Sequence, residues 1–407
     1  MAKTKTTKQA KQSLKSSKAM ANGQARPKET PEQLYATALD LLEQSSPDEA
    51  LKKAEQLWKQ VQNSSVAEAL PALNLLGEIN VELGAIDEAR IYFEEAVKLD
   101  PDGKVPESMG GGAEKFLWLA QLCEEGGQVS VQWFEMGVTA LQHEIAAVEG
   151  GQMNGLDEEA LLMLRVEKKR KLANALCGMV EVYMTDLSWE DDAEARCENL
   201  VMEAMTVEDE TSPEVLQTLA SVRLSQDRKD DAQAALSRSL QIWRDLDPED
   251  PAVPDFPTRI SLARLLMEAE METDAMHVLQ RLVQDDDQSV EAWYLGGWCQ
   301  YLVAEKMRSA ANSHSMTDAS KFDTAEVALR GSRNWLNMAL KLYNQLDYED
   351  DRLLEHADEI VAALDKLLGP EEKVAEGGAD DEWEEWDGIE DGADEEAVDE
   401  DDEMKDL

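Results

Sequence analysis

The sequence predicts an all-α protein, a superhelical solenoid of about seven helix pairs closed by a C-terminal capping helix. Three observations indicate this fold. Apolar residues recur at helical spacing along most of the chain, no segment alternates with a period of two, and one stretch carries a complete repeat pattern that recurs in part elsewhere. A helix pair of this kind cannot bury its apolar face alone, so several pairs are expected to stack.

The complete repeat occupies residues 70–103, LPALNLLGEINVELGAIDEARIYFEEAVKLDPDG. Gly77, Ala89 and Ala96 are small and allow two antiparallel helices to approach closely, while large apolar residues fill the space between them. A proline after the second helix blocks its continuation. The pattern resembles a tetratricopeptide repeat, and the whole array is therefore predicted to be tetratricopeptide-like. The one departure is Asn80, which stands where tyrosine or leucine is usual.

The other helices follow in chain order. Thr30 is a candidate N-cap, with Pro31 at the first helical position and Gln33 three residues after the cap. A second helix begins after Pro47 and completes the first pair. Further pairs are expected near residues 113–142, 158–206, 213–245, 262–282 and 290–345, with a polar insertion at about 306–320 and a capping helix at about 350–368.

Charge is the most unusual bulk property of the chain. Its 407 residues carry 87 Asp and Glu against 39 Lys and Arg, a net charge of −48. Residues 1–28 contain eight basic and no acidic residues, residues 371–407 carry −18, and the body at 29–370 is left with −38. Nucleic-acid binding depends on phosphate neutralisation by Lys and Arg, so direct binding of nucleic acid is not expected and a basic protein partner is favoured.

Composition divides the chain into a basic tail at 1–28, a repeat domain at 29–369 and an acidic tail at 370–407. Both tails have too few core residues to fold alone and are expected to be disordered. The N-terminal lysines fit either a nuclear localisation signal or a plain solubilising tail. In the acidic tail, Trp383 and Trp386 interleave with carboxylates and are candidate contacts to a partner, with simple solubilisation as the alternative.

The sequence contains no constellation typical of an enzyme. None of the four histidines has zinc-ligand spacing, and no Walker A, G-x-G-x-x-G or G-x-S-x-G pattern occurs. The four cysteines lie far apart and are expected to be reduced and partly buried. No apolar run is long enough to span a membrane, and no apolar segment follows the N-terminal lysines. We therefore expect a monomer that is not an enzyme, has no metal or cofactor, and does not bind membranes.

The predicted functional site is the concave face of the solenoid. The first helix of each pair lines this face through the positions between its packing residues. These positions are acidic toward the N-terminal half and aromatic toward the C-terminal half: Asn74, Glu78, Glu82, Glu114, Gln121, Glu124, Glu125, Glu291, Tyr294, Trp298 and Tyr301. Carboxylates pair with Lys and Arg, and aromatic rings stack on guanidinium groups, so the expected ligand is an extended basic segment.

Two features of the sequence leave the assignment of this site undecided. The register of the pairs between about 113 and 206 departs from the repeat pattern, so the sequence does not define their inward-facing positions. The acidic positions also fit ordinary solvated faces of an acidic protein, with Trp298 packed between helices.

The acidic groove, the degenerate repeats and the tail motif EWEEWDGIED at 382–391 together resemble the dedicated assembly chaperones of ribosomal protein L4 found in fungi. The resemblance covers nearly the whole chain, from about Pro31 to the tail. It implies that the groove holds the basic internal loop of newly made ribosomal protein L4 and keeps it soluble. It further implies passage from cytoplasm to nucleus, where an import receptor is a further partner through the complex, and delivery to the precursor of the large ribosomal subunit.

Two other binding functions remain open. An acidic escort of histones would share the same charge logic. A co-chaperone adaptor for Hsp70 or Hsp90 would need Lys and Arg in the groove to bind a C-terminal carboxylate, which the predicted acidic lining disfavours.

Overall fold

The computed structural model describes residues 29–151, 157–208, 212–313 and 319–369, and within these ranges it contains fifteen α-helices and no strand. The helices are α1 (Pro31–Glu43), α2 (Pro47–Val61), α3 (Val66–Glu82), α4 (Ile86–Leu99), α5 (Glu114–Gln121), α6 (Gly127–Glu149), α7 (Glu158–Met184), α8 (Ala193–Val207), α9 (Pro213–Ser225), α10 (Lys229–Trp243), α11 (Phe256–Glu268), α12 (Glu272–Asp285), α13 (Val290–Ser313), α14 (Ala319–Gln345) and α15 (Asp351–Leu368). They form seven successive pairs and one final helix, so the predicted solenoid is confirmed.

Polar side chains cap the first helices of several pairs. At α1 the predicted capping box is present, because Thr30 Oγ1 accepts from the Gln33 amide at 3.3 Å and the Gln33 side chain accepts from the Thr30 amide at 3.1 Å. Asp157, Ser212 and Asp255 each accept a backbone hydrogen bond at the start of α7, α9 and α11. These helix starts are therefore defined by local sequence.

Close approach within a pair depends on glycine opposite a large ring. In the second pair the buried Phe93 ring lies against Gly77, where an added Cβ would be 2.5 Å from Phe93 Cζ. Asn80 is buried in the same interface, and its Nδ2 donates to the Leu76 carbonyl of its own helix at 2.6 Å. This bond satisfies the amide nitrogen in an apolar setting and explains how the one departure from the repeat pattern is accommodated.

The first helices of successive pairs form one layer. Contacts join α7 to α9, α9 to α11, α11 to α13 and α13 to α15. Helix α15 also packs on α14 and buries Leu353, Ala357, Ile360 and Leu364, so it covers the apolar face that the last pair would otherwise expose. The layer of first helices is the inner wall of the solenoid and carries the candidate site.

The connection between α4 and α5 is a structured loop that includes Gly110, Gly111 and Gly112. At its base Lys115 and Asp100 form a buried ion pair with an Nζ–Oδ2 distance of 2.8 Å, and Lys115 also donates to the Gly112 carbonyl at 2.6 Å. From α7, Lys168 reaches Glu107 in this loop at 2.6 Å. Buried cations thus tie the loop to the third and fourth pairs.

The last pair differs from the sequence prediction at its centre. The polar insertion expected at about 306–320 is mostly helical, because α13 continues to Ser313 and α14 already begins at Ala319. The start of this stretch, Lys306, Met307, Arg308 and Ala310, consists largely of strong helix formers. The two tails at 1–28 and 370–407, with Trp383 and Trp386, lie outside the described residues.

All four cysteines are free; Cys177, Cys197 and Cys299 are buried and Cys123 is half-buried, as the sequence indicated. In the described ranges, no helix combines the length and apolar character needed to cross a membrane.

Candidate binding groove

The inner wall encloses two contiguous cavities. The first, here called the central groove, has a volume of about 1050 Å³ and is lined mainly by α5, α7, α9 and α11. The second, here called the aromatic pocket, has a volume of about 560 Å³ and lies between α11, α13 and α15. Arg264 and Glu268 line both cavities, so the two form one path along the inner wall.

Carboxylates outnumber cations in the central groove. Its charged lining residues are Glu114, Glu181, Asp186, Glu214 and Glu268 against Lys171 and Arg264. Such a lining attracts a basic ligand and repels an acidic one. The charged lining of the central groove is therefore predominantly acidic.

Both groove cations are already paired within the protein. Lys171 forms ion pairs with Glu114 and, at 3.0 Å, with Glu167. Burial acts against its charge, but these hydrogen bonds and charges outweigh burial and raise the pKa of Lys171. Arg264 pairs with Glu291. Of the predicted acidic residues, Glu114 and Glu291 therefore lie in or beside the groove with their charge partly neutralised.

Two other carboxylates retain uncompensated charge. Burial, and then the charge of Glu114, raise the pKa of Glu78 despite a smaller opposing effect of Lys171. Burial also raises the pKa of Glu181, although part of its side chain reaches solvent. Within the described part of the chain Glu181 has no ion-pair partner. A ligand cation placed beside either carboxylate would relieve this cost of ionisation.

Glu181 was missed by the sequence prediction because α7 departs from the repeat register. The helix is 27 residues long, so counting from a standard repeat start does not identify its inward face. The signal that could have found it is spacing within the helix itself. Lys171, Asn174, Cys177, Gly178 and Glu181 recur at intervals of three or four and all line the groove.

The structure places Asn74 beneath the loop that joins α4 and α5. Its Nδ2 donates to the Gly110 carbonyl at 2.7 Å, so this amide is used to hold the loop. Sequence reasoning expected Asn74 to face a partner because it did not foresee that this loop folds back onto α3. Gln121 is exposed and lines the central groove.

Five of the six predicted acids lie outside the lining of the two cavities: Glu78, Glu82, Glu124, Glu125 and Glu291. Glu82 is exposed at the last residue of α3, and Glu124 and Glu125 are exposed in the turn after α5. Glu124 instead pairs with Arg90 of α4 at 3.0 Å. The physical reason is that α5 ends at Gln121 after eight residues, so the positions assigned to its last turn are not helical.

Two predicted residues that line the aromatic pocket contact a residue that was not predicted. Tyr294 Oη and His356 Nδ1 are 2.7 Å apart, and the Trp298 ring centroid lies 5.0 Å from that of His356. The pocket also has apolar lining from Met267, Leu295, Leu302 and Leu353. His356 lies on the capping helix, where the sequence suggested only a structural role. Tyr301 packs against the core and is not part of this lining.

No described group of His, Cys, Asp and Glu residues is arranged to hold a metal ion. Cys177 lines the central groove, and burial raises its pKa to about 12. The thiol is therefore protonated at neutral pH and is a poor nucleophile.

Comparison with known proteins adds to this geometry. A model of the tetratricopeptide repeat family matches residues 35–104. A probable assembly chaperone of rpl4 from Emericella nidulans is 48% identical over 375 residues, with 91% of each chain covered. Another protein of that description, from Schizosaccharomyces pombe, is 33% identical over 350 residues, covering 86% of this chain and 95% of its own. A solved structure of the assembly chaperone of RpL4, Acl4, residues 1–338, is 49% identical with a TM-score of 0.62 and covers 70% of this chain and 100% of that one.

Proposed function

The chain belongs to the family of assembly chaperones of ribosomal protein L4, and from this premise we propose that it binds and shields a basic, extended segment of newly made ribosomal protein L4. The bound segment would lie in the central groove and continue toward the aromatic pocket. The observation that carries the proposal is the excess of carboxylates that line the groove, where Glu181 has no ion-pair partner within the described part of the chain.

The charge of the groove explains why such a segment would need shielding and how the groove would supply it. A basic segment that folds only against RNA repels itself and attracts any polyanion, so it is prone to wrong association before assembly. Carboxylates spaced along the groove neutralise the positive charge of the segment, and few basic side chains of the groove compete with the segment for them. Each exposed ion pair contributes only about 0.2–1 kcal/mol, so affinity would come from several pairs acting together.

We further propose that the complex, one chaperone for each ribosomal protein, passes from the cytoplasm to the nucleus, where an import receptor acts through the complex. Release would follow when ribosomal RNA competes for the bound segment, because a phosphate backbone carries a higher density of negative charge than the groove. The acidic tail with Trp383 and Trp386 would add further contacts to the partner.

The test is a binding titration of the full-length chain with a labelled peptide of the basic L4 segment, at low and at high ionic strength. Glu181→Gln and Glu268→Gln remove charge from the groove lining. Glu203→Gln is the matched control, since Glu203 is exposed on α8 and lies outside the lining. We expect each groove variant to weaken binding severalfold at low salt, with the difference shrinking at high salt. Absence of binding by the wild-type chain, or equal loss in the control, would refute the proposal.

A histone-type escort function is tested in the same assay by competition. A labelled L4 segment should be displaced by unlabelled L4 segment at much lower concentration than by a histone tail of equal charge. Equal displacement would mean that the groove recognises charge alone and would favour the broader function.

A further inference from the structure

The central groove also carries uncharged polar side chains, which ion pairing with a basic ligand does not explain. Asn174 of α7, Gln217 of α9 and Ser261 of α11 all line it, one from each of three successive first helices. Asn174 and Ser261 are exposed to the groove, whereas Gln217 is almost wholly buried.

Gln217 is in an unusual environment for a glutamine. The residue is only 5% exposed, its Nε2 has less than 1 Å² of accessible surface, and within the described chain that nitrogen has no hydrogen-bond partner. A buried amide donor without a partner lowers stability, while methionine at the same helical position would fit with similar helix propensity. A side chain that lowers stability in a groove wall is characteristic of a binding residue rather than a packing residue.

The chemistry of a carboxamide indicates what it would bind. The group carries a donor and an acceptor side by side, as a peptide group does, and its last torsion is soft with two nearly equivalent orientations. Rotation about that torsion exchanges the buried nitrogen for the oxygen and so turns the N–H donors toward the groove when an acceptor arrives there. An ionised carboxylate can only accept hydrogen bonds and repels a main-chain carbonyl oxygen. The glutamine amide can donate a hydrogen bond to that oxygen.

The spacing of the three helices fits the same ligand. Helices α7, α9 and α11 contact one another in series. Packed helices lie about 8–10 Å apart, and an extended chain advances about 3.3 Å per residue. One polar side chain on each helix would therefore meet about every third residue of an extended segment laid across them.

We infer that Asn174, Gln217 and Ser261 form a track that hydrogen-bonds to the main chain of an extended polypeptide, with Gln217 at its centre. The inference rests on the proposed function, because the bound polypeptide is the same segment. It adds that the groove recognises the backbone of that segment independently of its side-chain sequence, while the surrounding carboxylates recognise its charge.

The experiment uses the full-length chain with Gln217→Met, and Gln241→Met as the matched control. Gln241 is exposed on α10 and lies outside the groove. Two labelled probes are titrated, the basic L4 segment and a scrambled peptide of the same composition. We expect Gln217→Met to weaken both about three- to tenfold, by the same factor at low and at high salt. Its melting temperature should equal or exceed that of the wild type, because the unpaired amide is gone.

Each result separates the alternatives. If the wild-type chain binds both probes and Gln217→Met binds them with the same affinity, the inference is overturned and the proposed function is left intact. A loss that disappears at high salt also overturns it, since a main-chain hydrogen bond is not screened in that way. A lowered melting temperature together with weaker binding would assign Gln217 a structural role instead. Failure of the wild-type chain to bind the L4 segment overturns the proposed function itself.

Discussion

Replacing Lys115 with methionine is expected to lower the free energy of unfolding by about 3–5 kcal/mol, the usual cost of leaving a buried charge without its partner. Lys115 and Asp100 are 1% and 3% exposed, and the Lys115 Nζ is bonded to both the Asp100 carboxylate and the Gly112 carbonyl. Methionine keeps most of the side-chain volume, so the loss would report the missing charge and hydrogen bonds rather than a cavity.

The pH dependence of this variant gives a second measurement. In the wild type, burial opposes ionisation of Asp100, but hydrogen bonds from Lys115 and from the Val105 and Lys104 amides, with the charge of Lys115, outweigh it and lower its pKa. Because the folded pKa is below the unfolded one, this group stabilises the fold at neutral pH and the contribution is lost as pH falls through the folded pKa. Lys115→Met removes the positive charge that lowers the Asp100 pKa. The difference in stability between the variant and the wild type should therefore shrink in acid, where Asp100 is protonated.

Urea denaturation followed by circular dichroism measures the total effect, and hydrogen exchange of residues 100–121 locates it, since each repeat of a solenoid contacts mainly its neighbours. Adding Asp100→Asn to Lys115→Met should restore part of the stability, because asparagine removes the unpaired charge and keeps an acceptor for the Lys104 and Val105 amides. A deficit below about 1 kcal/mol, the size of an exposed ion pair, or no recovery in the double variant would refute the reasoning.

Two further predictions concern the second pair. Gly77→Ala places a Cβ 2.5 Å from the buried Phe93 ring and is expected to lower the free energy of unfolding by about 1–3 kcal/mol in thermal or urea denaturation, whereas Glu82→Ala at the exposed end of the same helix should change it little. An unchanged unfolding transition for Gly77→Ala would show that α3 and α4 move apart at little cost and would contradict this prediction. Glu78→Gln should stabilise the chain at neutral pH, because burial and Glu114 raise the pKa of Glu78 and so disfavour its charged form in the folded state. That gain should shrink as pH falls through the folded pKa and Glu78 becomes neutral, while binding of the basic segment weakens; a gain that persists unchanged into acid would contradict this assignment.

The candidate site was predictable where the repeat register holds. Glu114 and Gln121 line the central groove, and Tyr294 and Trp298 line the aromatic pocket, because their helices keep the repeat spacing from the N-terminus. Prediction failed after α5 ended early, since counting then assigned helical positions to a turn that contains Glu124. Whether these residues contact a partner stays a prediction.

The structure brings to the inner wall three residues that the sequence prediction did not include. Glu181 lines the central groove from α7, Gln217 lines it from α9, and His356 of the capping helix contacts Tyr294 and Trp298. Gln217 holds the fifth position of a repeat that keeps its register, whereas the placement of Glu181 and His356 depends on how distant helices pack. The unpaired nitrogen of Gln217 in particular is a property of its surroundings and not of its residue type.

The sequence by itself determined the helices, their pairing and the sign of the charge, because helical periodicity, small residues at close contacts and capping side chains all act over a few neighbouring residues. It also carried the family resemblance in the repeats and the tail motif. Only the tertiary structure decided which carboxylates are already neutralised, as Glu114 is by Lys171, and which are left to attract a ligand. It also decided that a loop covers Asn74 and that Gln217 is buried without a partner. The physical reason is that burial and electrostatic compensation depend on groups brought together from several helices, and no local pattern records those distances.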